Sequence, residues 1–112
     1  MEQKVFIVIS SDVMGKEEDI GKEVIRNFFE TVKSTNEIPH TIFFLNAGVK
    51  LTTLDDEVAG ILKDIESMGA EIYSCGTCLK HYNLEDKIKV GNRGASTQVV
   101  EALNDCKVVW VG

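Results

Sequence analysis

Glu71-Ile72-Tyr73-Ser74-Cys75-Gly76-Thr77-Cys78-Leu79-Lys80-His81-Tyr82-Asn83-Leu84 holds two of the chain's three cysteines. A short run with β character ends in a Cys-Gly-Thr-Cys turn, and an amphipathic segment follows. A strand that feeds directly into a helix is the building unit of an α/β sheet. The junction also suits thiol chemistry. Free amide N–H groups and the positive end of the helix dipole stabilise a thiolate and lower the thiol pKa. If Cys75 closes the strand and Cys78 sits in the first helical turn, both thiols face one mouth. This pair is the candidate reaction centre.

The flanking sequence supplies the rest of such a sheet. Val5-Phe6-Ile7-Val8-Ile9 and Thr41-Ile42-Phe43-Phe44-Leu45 are continuous apolar runs, the pattern of strands covered on both faces. Ala70 to Ser74 is the third strand, Lys87 to Val90 a short fourth, and Lys107-Val108-Val109-Trp110-Val111 the last. Between the first two, residues 16–33 turn helical, with Ile20, Val24, Phe28 and Val32 recurring every four residues and Ile25 and Phe29 widening the stripe. Pro39, the only proline, follows the break. Thr52 or Thr53 is expected to cap the next helix, which buries Val58, Ile61, Leu62, Ile65 and Met68 and ends at Gly69 in a left-handed cap. A final helix from about Ser96 to Asn104 rests on Val99, Val100 and Leu103. The alternation predicts an α/β fold: an open, doubly wound parallel sheet of about five strands with helices on both faces.

At 112 residues the chain is expected to form a single domain. A hydrophobic fraction of 44% and a charged fraction of 27% are ordinary for a globular protein. The net charge of −6 argues against nucleic acid and anionic membranes as partners, since both recruit Lys/Arg patches. No run approaches the ~20 apolar residues of a membrane span. Met1-Glu2-Gln3-Lys4-Val5 lacks the apolar region of a signal peptide, so a cytoplasmic location is expected. Three cysteines, an odd number, argue against a disulfide framework and leave catalytic, metal-binding or buried thiols.

Ligands of open α/β sheets bind outside the carboxyl ends of the strands. Four segments are expected there: Ser10-Ser11-Asp12, Asn46-Ala47-Gly48, Cys75-Gly76-Thr77-Cys78 and Gly91-Asn92-Arg93-Gly94. All are small or polar, so backbone donors can approach an anion. Gly76 and Thr77 are candidate donors, Asn46 and Gly48 candidate binding residues, and Arg93 a fixed positive charge near a thiolate or persulfide.

Cys75 to Leu84, taken with Phe43-Phe44-Leu45-Asn46-Ala47-Gly48-Val49, resembles the DsrE/DsrF-like sulfur-relay family over nearly the whole chain. Within that family the sequence is most similar to the C-terminal domain of YedF-like proteins, which are sulfurtransferase-like and linked to selenium metabolism. The resemblance implies a flavodoxin-like sheet over a single DsrE-like domain, residues 1–112, often assembled as a homo-oligomer (dimer, trimer or hexamer). It also implies a cysteine that accepts sulfane sulfur as a persulfide from a small TusA-like carrier, or from a small thiol persulfide, and passes it on. That cysteine maps onto Cys75. Cys78 matches a second cysteine found in part of the family and is read as a resolving or auxiliary thiol. YedF-like proteins carry an N-terminal TusA-like domain with a Cys-Pro motif, and neither occurs in this sequence. No cofactor is implied.

Other readings stay open. A Cys-x-x-Cys near βαβ units also suits dithiol redox chemistry, although no proline lies between or soon after the cysteines. Cys75, Cys78 and His81 have compact ligand spacing, with Cys106 as a conceivable fourth. Structural zinc sites usually use two paired clusters and only one is present, so no metal is expected. A non-catalytic interaction module would present Val49, Leu51 and Leu54. Cys106 reads as a small buried hydrophobe, and Trp110 and Tyr73 as core or interface aromatics.

Overall fold

The structure, a computed structural model, describes residues 4–112; residues 1–3, which open the N-terminal segment read above, lie outside the described residues. Strands β1 (Lys4–Ile9), β2 (Thr41–Phe44), β3 (Glu71–Cys75), β4 (Asn92–Gly94) and β5 (Cys106–Val111) form one sheet in the order β4-β3-β2-β1-β5, every pair parallel. The chain steps outward from β1 to β4 and then crosses back to β5. This is the doubly wound α/β architecture that the alternation of elements predicts.

Strand periodicity divides the sheet into two unequal faces. Ile7 and Ile9 of β1, with Ile42 and Phe44 of β2, face helices α1 (Glu18–Thr35) and α3 (Asp56–Ser67) and form the main core. Phe6, Val8 and Phe43 point the other way, into a smaller cluster with Cys75 and Ala102, the latter on helix α5 (Ser96–Asp105). Helix α5 leaves apolar surface of its own open: Val100 and Leu103 are exposed, and Trp110 on β5 is 59% exposed.

Several boundaries and stripes differ from the sequence reading. In α1 the sheet-facing residues are Gly21, Ile25 and Phe29. Ile20 is 52% and Val24 39% exposed, and Phe28 and Val32 are partly buried. A four-residue spacing marks either side of a broad stripe equally well, and the docking angle selects the 21/25/29 line. A Cβ on Gly21 would fall 2.8 Å from the Met14 carbonyl oxygen, so glycine lets the 10–17 loop close against this line.

Thr52 and Thr53 do not cap α3. They lie buried in the short helix α2 (Lys50–Thr53), each donating its hydroxyl hydrogen to the Val49 carbonyl. Asp55 is the cap, accepting from Val58 N–H at 3.0 Å. Met68 falls beyond α3 and is exposed, while Gly69 takes the expected left-handed conformation at φ 115°. On α5, Val99 is partly buried and Ala102 buried, but Val100 and Leu103 are not.

The fourth strand is displaced. Residues 87–90 form a loop that buries Val90, and β4 is Asn92–Gly94, paired with Tyr73–Cys75. The Gly91-Asn92-Arg93-Gly94 segment is therefore the edge strand itself and not a loop beyond a strand end. Gly91 enters it at φ 73°, with Ile72 backbone directly against its α-carbon. Among the described residues no helix is long and apolar enough to cross a membrane.

Candidate functional site

The site forms where the ends of β2 and β3 stand side by side. Along β3, Ile72 joins the main core while Tyr73 and Cys75 belong to the α5 side. Cys75 is thus delivered into the smaller apolar cluster and is only 6% exposed. It is also the residue from which helix α4 (Gly76–His81) begins. Cys78 falls in the first turn of α4, half-buried, and its side chain packs against both clusters. Both thiols are free, and Cys78 packs against the cluster that contains Cys75.

After β2 the chain turns through a 3-10 segment, Asn46–Val49, before α2. Asn46 sits at φ 50°, in the left-handed region that asparagine tolerates better than most residues. In that conformation its backbone N–H donates to Cys78 Sγ at 3.1 Å, and its Oδ1 lies 4.0 Å from the same sulfur as acceptor for the thiol. Two contacts hold the turn in place. Gly48 lies so close to β1 that a Cβ would overlap the Ile9 carbonyl oxygen. Thr52 Oγ1 and Ser74 Oγ, both fully buried, hydrogen-bond at 2.6 Å. With Thr52 donating to Val49 O, Ser74 is the donor of that pair. The hydroxyl pair thus ties α2 to the residue immediately before Cys75.

Cys78 opens onto a depression of about 360 Å³ lined by Asn46, Thr77, Cys78, His81 and Tyr82. The His81 and Tyr82 rings meet edge-to-face at 4.8 Å, and Lys50 Nζ lies 4.8 Å from the Tyr82 ring centre on a cation–π contact. A second depression of about 360 Å³ lies between the start of α1 and α2, lined by Asp12, Glu18, Lys22, Lys50 and Asp55, and holds no thiol.

Burial pushes the Cys78 thiol above its ordinary pKa, the Asn46 amide pulls it down, and the neighbouring Cys75 pushes it up further. The expectation of a lowered pKa is therefore corrected for Cys78: desolvation outweighs the favourable amide. A raised pKa means less thiolate at neutral pH than in free cysteine. Alkylation of Cys78 by iodoacetamide, followed by peptide mass mapping, is expected to keep accelerating beyond pH ~8.5, the ordinary cysteine value. A rate that levels off below that pH would contradict this ordering of effects.

The sequence candidates thus separate. Cys75, Cys78, Asn46 and Thr77 converge. Gly76 is adjacent, and its small size admits the Arg93 guanidinium, which a Cβ there would overlap. Arg93 itself pairs with Glu85 at 3.5 Å on the β4 edge, so its charge is already partnered. Gly48 serves backbone packing against β1. Cys106 opens β5, whereas Cys75 closes β3; in a parallel sheet these are opposite ends, which removes Cys106 from a ligand set with Cys75, Cys78 and His81. Val49 and Leu51 are buried, leaving only Leu54 of that trio exposed. Lys50 and the Thr52–Ser74 pair were not legible in sequence. Nothing local to either hydroxyl signals a partner 22 residues away.

Comparison with known proteins agrees with this geometry at the level of fold and family. The ychN protein from E. coli superposes with a TM-score of 0.74 at 12% identity, covering 97% of this chain and 99% of its own. A protein of unknown function from Methanobacterium thermoautotrophicum gives 0.72 at 13% identity, with 97% and 99% covered. A conserved protein of unknown function from Bacteroides thetaiotaomicron gives 0.65 at 19% identity, with 94% and 93% covered. Identities this low speak to the fold alone. No curated protein matches the chain. The sequence profile of the DsrE/DsrF-like family, which is associated with sulfur relay, matches residues 3–111, almost the full length. The chain belongs to the DsrE/DsrF-like family.

Proposed function

We propose that this protein carries sulfane sulfur, or selenium, as a persulfide on the Cys75/Cys78 pair, with Cys75 as the resting carrier and Cys78 as its auxiliary thiol. One observation carries the reading: two free thiols at one strand–helix junction, one buried and one open to a depression, with a backbone N–H aimed at the open sulfur. A buried persulfide is shielded from stray thiols, and an adjacent thiol provides the route by which sulfur reaches and leaves it. Family membership supports the chemistry. The donor is a TusA-like carrier protein or a small persulfide, as the resemblance to YedF-like domains suggests. Exposed Val100, Leu103 and Trp110 support assembly with further copies, since an obligate interface buries such residues.

Incubation of the reduced protein with glutathione persulfide, followed by intact mass measurement, tests the reading. Wild type and Cys106→Ser are each expected to gain one sulfur atom, and the double variant Cys75→Ser/Cys78→Ser none. Loss of two hydrogens without sulfur gain would instead assign a dithiol redox pair, a reading favoured by the Cys75-Gly76-Thr77-Cys78 spacing of two free thiols. No mass change in wild type would overturn the carrier reading.

A further inference from the structure

The two thiols differ in what can reach them. Cys75 is 6% exposed within an apolar cluster of Phe6, Val8, Phe43 and Ala102, and it is absent from the lining of the depression. Cys78 lines it, beside Thr77, His81 and Tyr82. Among the described residues, Cys78 is the one of the two that receives a backbone N–H, that of Asn46 at 3.1 Å, and an amide placed there lies where a sulfur anion needs a donor. Thiol exchange requires the attacking sulfur to reach the donor's outer sulfur in line with the breaking S–S bond, so access decides which cysteine reacts first.

We infer that sulfur is admitted at Cys78 and handed inward to Cys75, an order of reaction that rests on the persulfide-carrier reading above. In the first step Cys78, having lost its proton to solvent, attacks the outer sulfur of a donor persulfide R–S–SH. The new bond is Cys78 Sγ–S, the donor S–S bond breaks, and R–S⁻ departs through the open side. In the second step Cys75 Sγ attacks the outer sulfur of the Cys78 persulfide. The Cys78 Sγ–S bond breaks, Cys75 holds the sulfur, and the proton of Cys75 ends on Cys78. Neither step changes the net oxidation state, so no external oxidant or reductant enters. Cys78 packs against the cluster that holds Cys75, which places the two cysteines side by side for the second step, and the Asn46 N–H stabilises the Cys78 thiolate before attack and as it leaves, until it takes the proton.

The depression also defines the donor. Around Cys78 its walls are an asparagine, a threonine, an imidazole and a phenol ring, and Lys50 Nζ lies over that ring. At about 360 Å³ it takes a small thiol persulfide, or the extended persulfide-bearing tip of a carrier, but not a folded surface. Glutathione persulfide is therefore a sufficient donor for testing the order.

Rapid mixing with glutathione persulfide, acid quench and intact mass would follow charging in wild type, Cys78→Ser, Cys75→Ser and Cys75→Ala, with tandem mass spectrometry locating the sulfur. Cys78→Ser is expected to charge at least ~10-fold more slowly than wild type. Both Cys75 variants are expected still to charge, no more slowly than wild type because Cys75 holds the Cys78 pKa up, and to keep the sulfur on Cys78. Cys75→Ala fits the apolar cluster, so the result does not hang on burying a serine hydroxyl. In wild type, sulfur found on Cys78 at the earliest times moves to Cys75. Wild-type charging with an undiminished rate in Cys78→Ser overturns the order of reaction while leaving the carrier reading intact; so does failure of both Cys75 variants to charge. Absence of charging in wild type overturns the carrier reading and this inference with it.

Discussion

Gly48→Ala is expected to destabilise the protein by about 3 kcal/mol, the upper part of the usual range for forcing atoms into a filled interior. The added Cβ would overlap the Ile9 carbonyl oxygen and come within 3.3 Å of its carbon. Both are backbone atoms of a buried central strand, so no side-chain rotation relieves the clash. The same carbonyl already accepts the Leu45 N–H at 2.8 Å, which fixes β1 and the end of β2 together. Either that bond lengthens or the Asn46–Val49 turn moves outward. Outward movement withdraws the Asn46 N–H from Cys78, so sulfur charging falls along with stability. Urea unfolding monitored by circular dichroism measures the first effect, and at about 4 °C per kcal/mol a thermal midpoint lower by about 12 °C is expected. Gly60→Ala is the control. Gly60 lies in α3 with open space around its α-carbon, so alanine there is expected to stabilise by about 0.5–1 kcal/mol. Equal midpoints for the two variants would contradict the close approach of the turn to β1.

Phe29→Ala is expected to cost about 3–5 kcal/mol through lost burial and the cavity it leaves. Phe29 is fully buried, edge-to-face with Phe28 at 5.3 Å and tilted against Phe44 at 6.0 Å. It is the main anchor of α1 on the sheet. Val24→Ala, one turn earlier on the same helix, is expected to change stability by less than about 0.5 kcal/mol because Val24 faces solvent. The comparison separates the two readings of α1. If the line through Ile20 and Val24 were the buried one, the costs would be closer to each other.

The corrections share a cause. Sequence periodicity reports which residues lie near one another along a helix, but the docking angle decides which of them touch the sheet. In α1 the buried line is 21/25/29, which keeps Ile25 and Phe29 of the expected stripe and drops Ile20 and Val24; in α5 Val99 holds its place, while Ala102 is buried in place of Val100 and Leu103. The displaced fourth strand follows similar logic. Lys87-Ile88-Lys89-Val90 alternates like a strand, but the Lys89 N–H is used by the Thr52 carbonyl, and pairing with β3 begins only after Gly91 turns the chain. Arg93 then falls on the sheet edge, paired with Glu85 and with its guanidinium against Gly76, the residue after Cys75.

The sequence by itself determined the alternation of strands and helices, hence the parallel sheet. It also determined the placing of Cys75 at a strand end and Cys78 in a first helical turn, because apolar runs, caps and Cys-Gly-Thr-Cys spacing are local signals. Only the tertiary structure decided the rest. Which thiol is buried follows from β3's alternation relative to a sheet whose second face carries α5. Which amide meets Cys78 follows from β2 lying beside β3, a pairing that brings Asn46 to a sulfur 32 residues away. The pKa direction of Cys78 follows from desolvation, a property of the packed surroundings and not of the helix start alone. Contacts distant in sequence have no local signature, so the sequence named the two cysteines and the fold distinguished them.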